Sequence, residues 1–167
     1  MAKCSRAGRP WVLVTILAAW AWGLTMCPPA AAEAFHQSLG QTLYVPAYTQ
    51  VYYSDKGDVF PLTATLLVHN TDAATAITVE SAKLYDTNGK LVKEYLAAPR
   101  VLVPFGALDI LAVRLSKSAG VGACFVVQWR AERKVAQPIV ECVMIGASGQ
   151  QGISFSSQGR VIAERGK

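Results

Sequence analysis

From Gln41 onward, apolar and polar residues alternate in short runs broken by Gly, Pro and Asn, the two-residue period of half-buried strands. In "LTATLLVH" the alternation puts Leu62, Ala64, Leu66 and Val68 on one face and Thr63, Thr65 and His69 on the other. "AITVESAKLYD" starts with Ile77 and Val79 inward and then changes phase to Ala82 and Leu84, which predicts a bulge near Ser81. "YDTNGKLVKEYL" carries Asn88-Gly89, a pair able to adopt the positive φ angles of a tight hairpin turn. "RVLVPFGALDILAVRL" supplies two apolar runs separated at Pro104 and Gly106. "ACFVVQWRA" and "PIVECVMIG" read as a hairpin, with Phe125, Val127 and Trp129 opposite Cys124, and "GISFSS" and "RVIA" read as closing strands. No ten-residue window carries a helical stripe. Eight or nine strands at this spacing predict an all-β fold, an antiparallel two-sheet sandwich of immunoglobulin-like flavour, with a barrel as the alternative.

The start of the chain follows a different pattern. Lys3, Arg6 and Arg9 precede the uncharged segment "WVLVTILAAWAWGLTM", and "AAAEAF" follows Pro28 and Pro29 with small residues suited to cleavage after Ala32 or Ala34. Residues 1–34 therefore read as an export signal and residues 35–167 as a single domain in the periplasm or cell envelope. The alternative is an uncleaved anchor, which would be the only membrane attachment. Lipid attachment at Cys27 is disfavoured because Met26 stands where a small residue is needed.

Removing residues 1–34 from the 167 leaves 133, enough for one core and too few for two. It also lowers the net charge of +5, since Lys3, Arg6 and Arg9 leave with Glu33. Basic residues in the remainder are scattered, with Arg130, Arg133 and Lys134 as the one cluster, placed at the tip of the expected hairpin, so nucleic acid is not an expected partner. Cys4 and Cys27 leave with the signal. Cys124 and Cys142 remain, equidistant from Arg133, and pairing of the two runs about that centre would set them opposite each other as a candidate disulfide. The alternative is two small buried thiols. The absence of C-x-x-C argues against redox catalysis.

At this stage the residues carry a likeness. "QTLYVPAYTQVYYSDKG", "LTATLLVHNTD", "YDTNGKLVKEYL", "FVVQWRA" and "PIVECVMIGASGQQGISFSSQGRVI" together resemble the bacterial exported family of domain of unknown function 3124, over about Gln41 to Ile162. The resemblance implies an extracytoplasmic all-β domain and carries over no catalytic or binding residue.

Catalytic patterns find little support. Gly146, Ser148 and Gln150 nearly spell a nucleophile elbow, but the second glycine is missing and both histidines, His36 and His69, come earlier in the chain. "GASGQQG" fits neither phosphate-cradling pattern and reads as a glycine-permitted turn into a strand. Metal at His69 would need two further ligands, and Asp55 and Asp58 in "SDKGD" read as a turn, so no metal or cofactor is expected. The spacing of Glu80, Asp86, Glu94, Asp109 and Glu141 does not recommend a glycosidase-like pair. Glu141 interrupts the apolar phase of Ile139, Val143 and Ile145, and a pair with Arg130 or Arg114 is the favoured explanation.

The most suggestive stretch is "LYVPAYTQVYY". Tyr44, Tyr48 and Tyr52 fall on one strand face, opposite Leu43, Val45, Ala47 and Val51, as a stripe of rings roughly 13 Å apart. Pro46 cannot donate to a ladder, which predicts an edge strand. Tyr44, Tyr48 and Tyr52 are therefore the candidate binding face for a protein, peptide or glycan; the alternative is that they cover the sheet margin. The function expected is that of an exported, non-enzymatic binding domain, with a hydrolytic or metal-assisted enzyme of dispersed site as the competing reading.

Overall fold

In the computed structural model, which describes residues 36–112, 119–148 and 151–166, the alternation resolves into twelve strands. They are β1 (Gln37–Pro46), β2 (Gln50–Tyr52), β3 (Val59–Pro61), β4 (Thr63–His69), β5 (Ile77–Tyr85) and β6 (Leu91–Glu94). Then follow β7 (Arg100–Leu102), β8 (Ala107–Ala112), β9 (Cys124–Ala136), β10 (Ile139–Ser148), β11 (Gln151–Gln158) and β12 (Arg160–Glu164). The expected signal or anchor segment 1–34, with Cys27, lies outside the described residues, as does Arg114.

All pairings are antiparallel. One sheet runs β12-β1-β9-β5-β6 with β7 also on β5, a second runs β11-β10-β4-β8, and β2 and β3 form a separate hairpin. The two large sheets close on one core, as expected for a sandwich. Leu43, Val45, Ile77, Val79, Ala82, Leu84, Phe125, Val127 and Trp129 come from the first sheet, and Leu66, Val68, Ile110, Val140, Cys142 and Met144 from the second. Each large aliphatic side chain fully buried in this way contributes roughly 1.5–3 kcal/mol.

The phase change in β5 is a bulge, as its sequence predicts: pairing with β9 slips between Val79 and Ser81, so Ile77 and Val79 before it and Ala82 and Leu84 after it all face inward. The Asn88-Gly89 turn forms with a different geometry from the one expected. Only Gly89 has positive φ (77°), Asp86 O accepts from Gly89 N and Asp86 N donates to Lys90 O. This is a type I turn closed by a glycine bulge, held by Asp86 Oδ1 accepting from the backbone of Asn88 and Lys90.

The largest departure is at β9 and β10, which do not pair with each other. β9 runs through to Ala136 between β1 and β5, and β10 crosses at Gln137–Pro138 into the other sheet, between β4 and β11. The cluster Arg130, Arg133 and Lys134 is therefore no hairpin tip. It straddles a bulge, since β1 pairing jumps from Gly40–Arg130 to Ser38–Val135. Charged residues tolerate this position because the extra residues Glu132, Arg133 and Lys134 point into solvent.

Candidate functional site

The tyrosine stripe breaks up when the chain turns at Pro46. Tyr44 projects from the outer surface of β1, Tyr48 lies half-buried with its ring 6.1 Å from that of Phe155, and Tyr52 stands exposed on the β2–β3 hairpin. Tyr44 and Tyr48 stay near each other, while Tyr52 stands on the separate β2–β3 hairpin, so the three do not line up as one stripe. β1 is not an edge strand either, being flanked by β12 and β9. Pro46 is tolerated because it lies beyond the last β12 pair, Tyr44–Arg160, and has a neighbour only at Cys124.

Cys124 and Cys142 are free buried thiols, which corrects the expected disulfide. The expectation rested on a β9–β10 hairpin; with the strands in different sheets, Cys124 sits between Pro46 and Tyr85 and Cys142 between Leu66 and Ser157. Burial pushes the Cys142 thiol up to about 12 and raises that of Cys124 as well, so both stay protonated near neutrality.

Arg130 is not the partner of Glu141. Its Nε lies 2.9 Å from Glu80, whose carboxylate is also held by Arg165 Nη1 at 3.0 Å. His36 lies beside Glu164, which accepts from Ser38 Oγ and Gln41 Nε2. Among the described residues no three His, Cys, Asp or Glu side chains group as metal ligands.

Glu141 marks the site that the sequence hid. In β10 the inward phase is Val140, Cys142 and Met144, and the more hydrophobic set Ile139, Val143 and Ile145 faces out. Cross-strand pairing lines these up with neighbours on the same outer surface: Ile139 with His69, Glu141 with Leu67, Val143 with Thr65, and beyond them Leu67 with Asp109 and Thr65 with Leu111. Ile139 is 52% exposed, Ile145 55% and Leu111 49%. Phe105, 74% exposed, stands beside Ile139 at one end of this surface, and exposed apolar side chains gathered on one face mark an interaction site.

Phe105 owes its position to a tight turn. Val103 O accepts from Gly106 N at 2.8 Å, with Pro104 at the second position and Phe105 at the third with φ 59°. A left-handed backbone costs an L-residue with a Cβ roughly 1–2 kcal/mol, so the surroundings must impose it. The buried Asn70 does so. Its Nδ2 donates to Thr75 O (2.9 Å), Val103 O (3.0 Å) and Leu102 O (3.1 Å), while its backbone N donates to Gly106 O at 2.9 Å. Two further bonds fasten the same loop to the sheet crossover: Thr71 Oγ1 donates to Gln137 O at 2.7 Å, and Asp72 Oδ2 accepts from Ala136 N at 3.2 Å. Hydrogen bonds from the backbone of Ala74 and Ala136 hold the Asp72 carboxyl below its ordinary range.

The result is a hollow of about 390 Å³ at one end of the outer surface, lined by His69, Asn70, Thr71, Phe105, Ile139 and Glu141. It has apolar walls, an imidazole and one carboxylate, and it opens to solvent. Sequence reasoning passed over Phe105 because "VPFG", with Pro second and Gly fourth, reads as a type I turn whose third residue keeps a negative φ, so the pattern announces a turn there but not its left-handed residue.

Fold and site together define a class: an antiparallel β-sandwich that displays a partly apolar sheet surface and an exposed, strained aromatic. The chain belongs to the family described as Protein of unknown function (DUF3124), whose model matches residues 40–162. No curated protein matches it. Among solved structures it is similar to the "Crystal Structure of Thermotoga maritima 1070", with a TM-score of 0.44 and 10% identity over 72% of this chain and 92% of that one.

Proposed function

We propose that this chain is an exported, non-enzymatic binding domain of the cell envelope that takes a protein partner on the outer surface of the β11-β10-β4-β8 sheet. The carrying observation is that surface itself: Ile139, Ile145, Leu111 and Phe105 stand exposed on one side, rimmed by Thr63, Ser154 and Ser156. An apolar centre inside a polar rim is the composition of a recognition surface. Export rests on the basic start Lys3, Arg6 and Arg9, the uncharged segment after it and the small residues near Ala32 and Ala34.

Photo-crosslinking residues placed singly at Ile145 and at Tyr52 in cells expressing the full chain test this reading. The expected result is an adduct with a distinct polypeptide from position 145 and none from position 52. Absence of an adduct at 145, or an adduct to glycan alone, overturns the proposal. Resistance of the domain to protease added outside intact spheroplasts, with cleavage only after lysis, overturns export.

A further inference from the structure

We infer that the hollow between Phe105, Ile139 and Glu141 seats a Lys or Arg side chain from an extended segment of the partner, whose apolar residues lie along Val143, Ile145 and Leu111. The inference rests on the binding reading above and adds the chemistry of what is bound.

Charge is the first argument. The whole sequence carries a net +5, yet the described outward positions of this sheet hold Glu141 and Asp109 and neither Lys nor Arg. Among the described residues no cation forms an ion pair with Glu141. A basic side chain also suits the walls. A guanidinium or ammonium lying over an aromatic ring is attracted by the ring's negative face, and its methylene stem packs against apolar neighbours such as Ile139. The Glu141 carboxylate in the same hollow adds a charge-assisted hydrogen bond.

Strain is the second argument, independent of charge. Glycine at position 105 would take the same φ of 59° without penalty, whereas a phenylalanine there is held out, 74% exposed, against its own backbone preference. Residues kept in such conformations concentrate where a side chain must be presented. The hollow, about 390 Å³ and open to solvent, has room for one long side chain.

Other occupants fit less well. A second copy of this chain, packed through the same surface about a two-fold axis, would enclose Glu141 and Asp109 from both copies in an interface whose described outward strand positions supply neither Lys nor Arg. A sugar would find one ring, Phe105, and no phenol or indole beside it.

The test uses the protein isolated from cells expressing the full chain and nine-residue synthetic peptides of alternating Val and Thr with a central Arg, Gln or Glu. Binding is followed by amide shifts of residues lining the hollow. The Arg peptide is expected to bind at least tenfold more tightly than the Gln peptide, and the Glu peptide more weakly than either. Glu141→Gln should abolish the Arg-over-Gln preference while leaving the Gln peptide's affinity in place. Phe105→Gly, which keeps the turn, should weaken the Arg peptide most. Equal binding of Arg and Gln peptides, or a preference that survives Glu141→Gln, overturns the basic-side-chain seat even if crosslinking at Ile145 succeeds. No peptide binding together with no adduct at Ile145 overturns both readings.

Discussion

Replacing Asn70 by alanine tests whether one buried amide holds both the candidate site and the end of the sandwich. Asn70 is 2% exposed, and its side chain serves four backbone groups. The two amide hydrogens are shared among the carbonyls of Thr75, Leu102 and Val103, and Oδ1 accepts from Asp72 N at 3.1 Å. Counting two donated bonds and one accepted bond at about 1 kcal/mol each gives a loss of about 3 kcal/mol, before any penalty for carbonyls left buried without a donor. For a domain of this size that lowers Tm by about 10 °C. Asn70→Asp makes the test sharper. It has nearly the same shape but turns an oxygen instead of an NH2 group towards three carbonyl oxygens, so it should cost at least as much as alanine. The assay is urea denaturation followed by fluorescence, with Trp129 buried in the core as reporter and the m-value unchanged. If both variants stay within about 1 kcal/mol of the parent, or Asp proves more stable than Ala, the hydrogen-bond account of this corner is wrong.

Other outcomes follow from the same packing. Leu66→Ala, in the middle of β4 and fully buried, should cost about 3–4 kcal/mol, whereas Leu111→Ala on the exposed surface should cost less than about 1; comparable losses in urea titrations would contradict the assigned inner and outer faces. Gly146→Ala would bring a methyl within 2.5 Å of Phe60 Cε1 and 2.7 Å of Pro61 O, and a loss of about 2 kcal/mol is expected; an unchanged midpoint would show that the β3 segment yields freely. Peptide mapping after iodoacetamide at pH 8 should find Cys142 unmodified in the folded protein and fully modified in urea. Its raised value means that the stability tied to this thiol is complete below the ordinary thiol value near 9 and lost as pH rises towards about 12, so native labelling at pH 8 would refute its burial. Asp72 has the opposite sign. Its lowered value contributes stability above the ordinary carboxylate pKa, and that contribution disappears as pH falls through the folded value, so Asp72→Asn should flatten the acid limb of a stability–pH profile; an identical limb would remove Asp72 from it.

Local periodicity made much of the architecture legible before any coordinates. The faces of β4, the bulge at Ser81, the break at Pro104–Gly106 and the closing strands β11 and β12 were all readable because each depends on residues within a few positions of one another. What escaped depends on which sheet a strand joins. Cys124 and Cys142 looked like cross-strand partners because "ERKVAQ" has the charge of a turn, yet the chain changes direction at Gln137–Pro138, where Thr71 and Asp72 from a distant loop fasten it. Pro46 pointed to an edge, but the strand that flanks β1 comes from the far end of the sequence. The candidate surface was hidden by hydrophobicity itself. Ile139, Val143 and Ile145 are greasier than Val140, Cys142 and Met144, so a core-first reading turns β10 the wrong way round. An outward-facing apolar set breaks the usual pattern, and such breaks are where function is expected.

The pairing of β1 with β12 has a temporal consequence. Gln41 meets Glu164 and Tyr44 meets Arg160, so the opening strand has to wait for the closing one. A polypeptide delivered amino end first, by a ribosome or through a secretion pore, holds β1 without either flanking strand until β9 and then β12 have emerged. Completion is thereby coupled to full-length delivery, and a product cut short before Arg160 carries a bare ladder along β1, a template for aggregation and a mark for proteolysis.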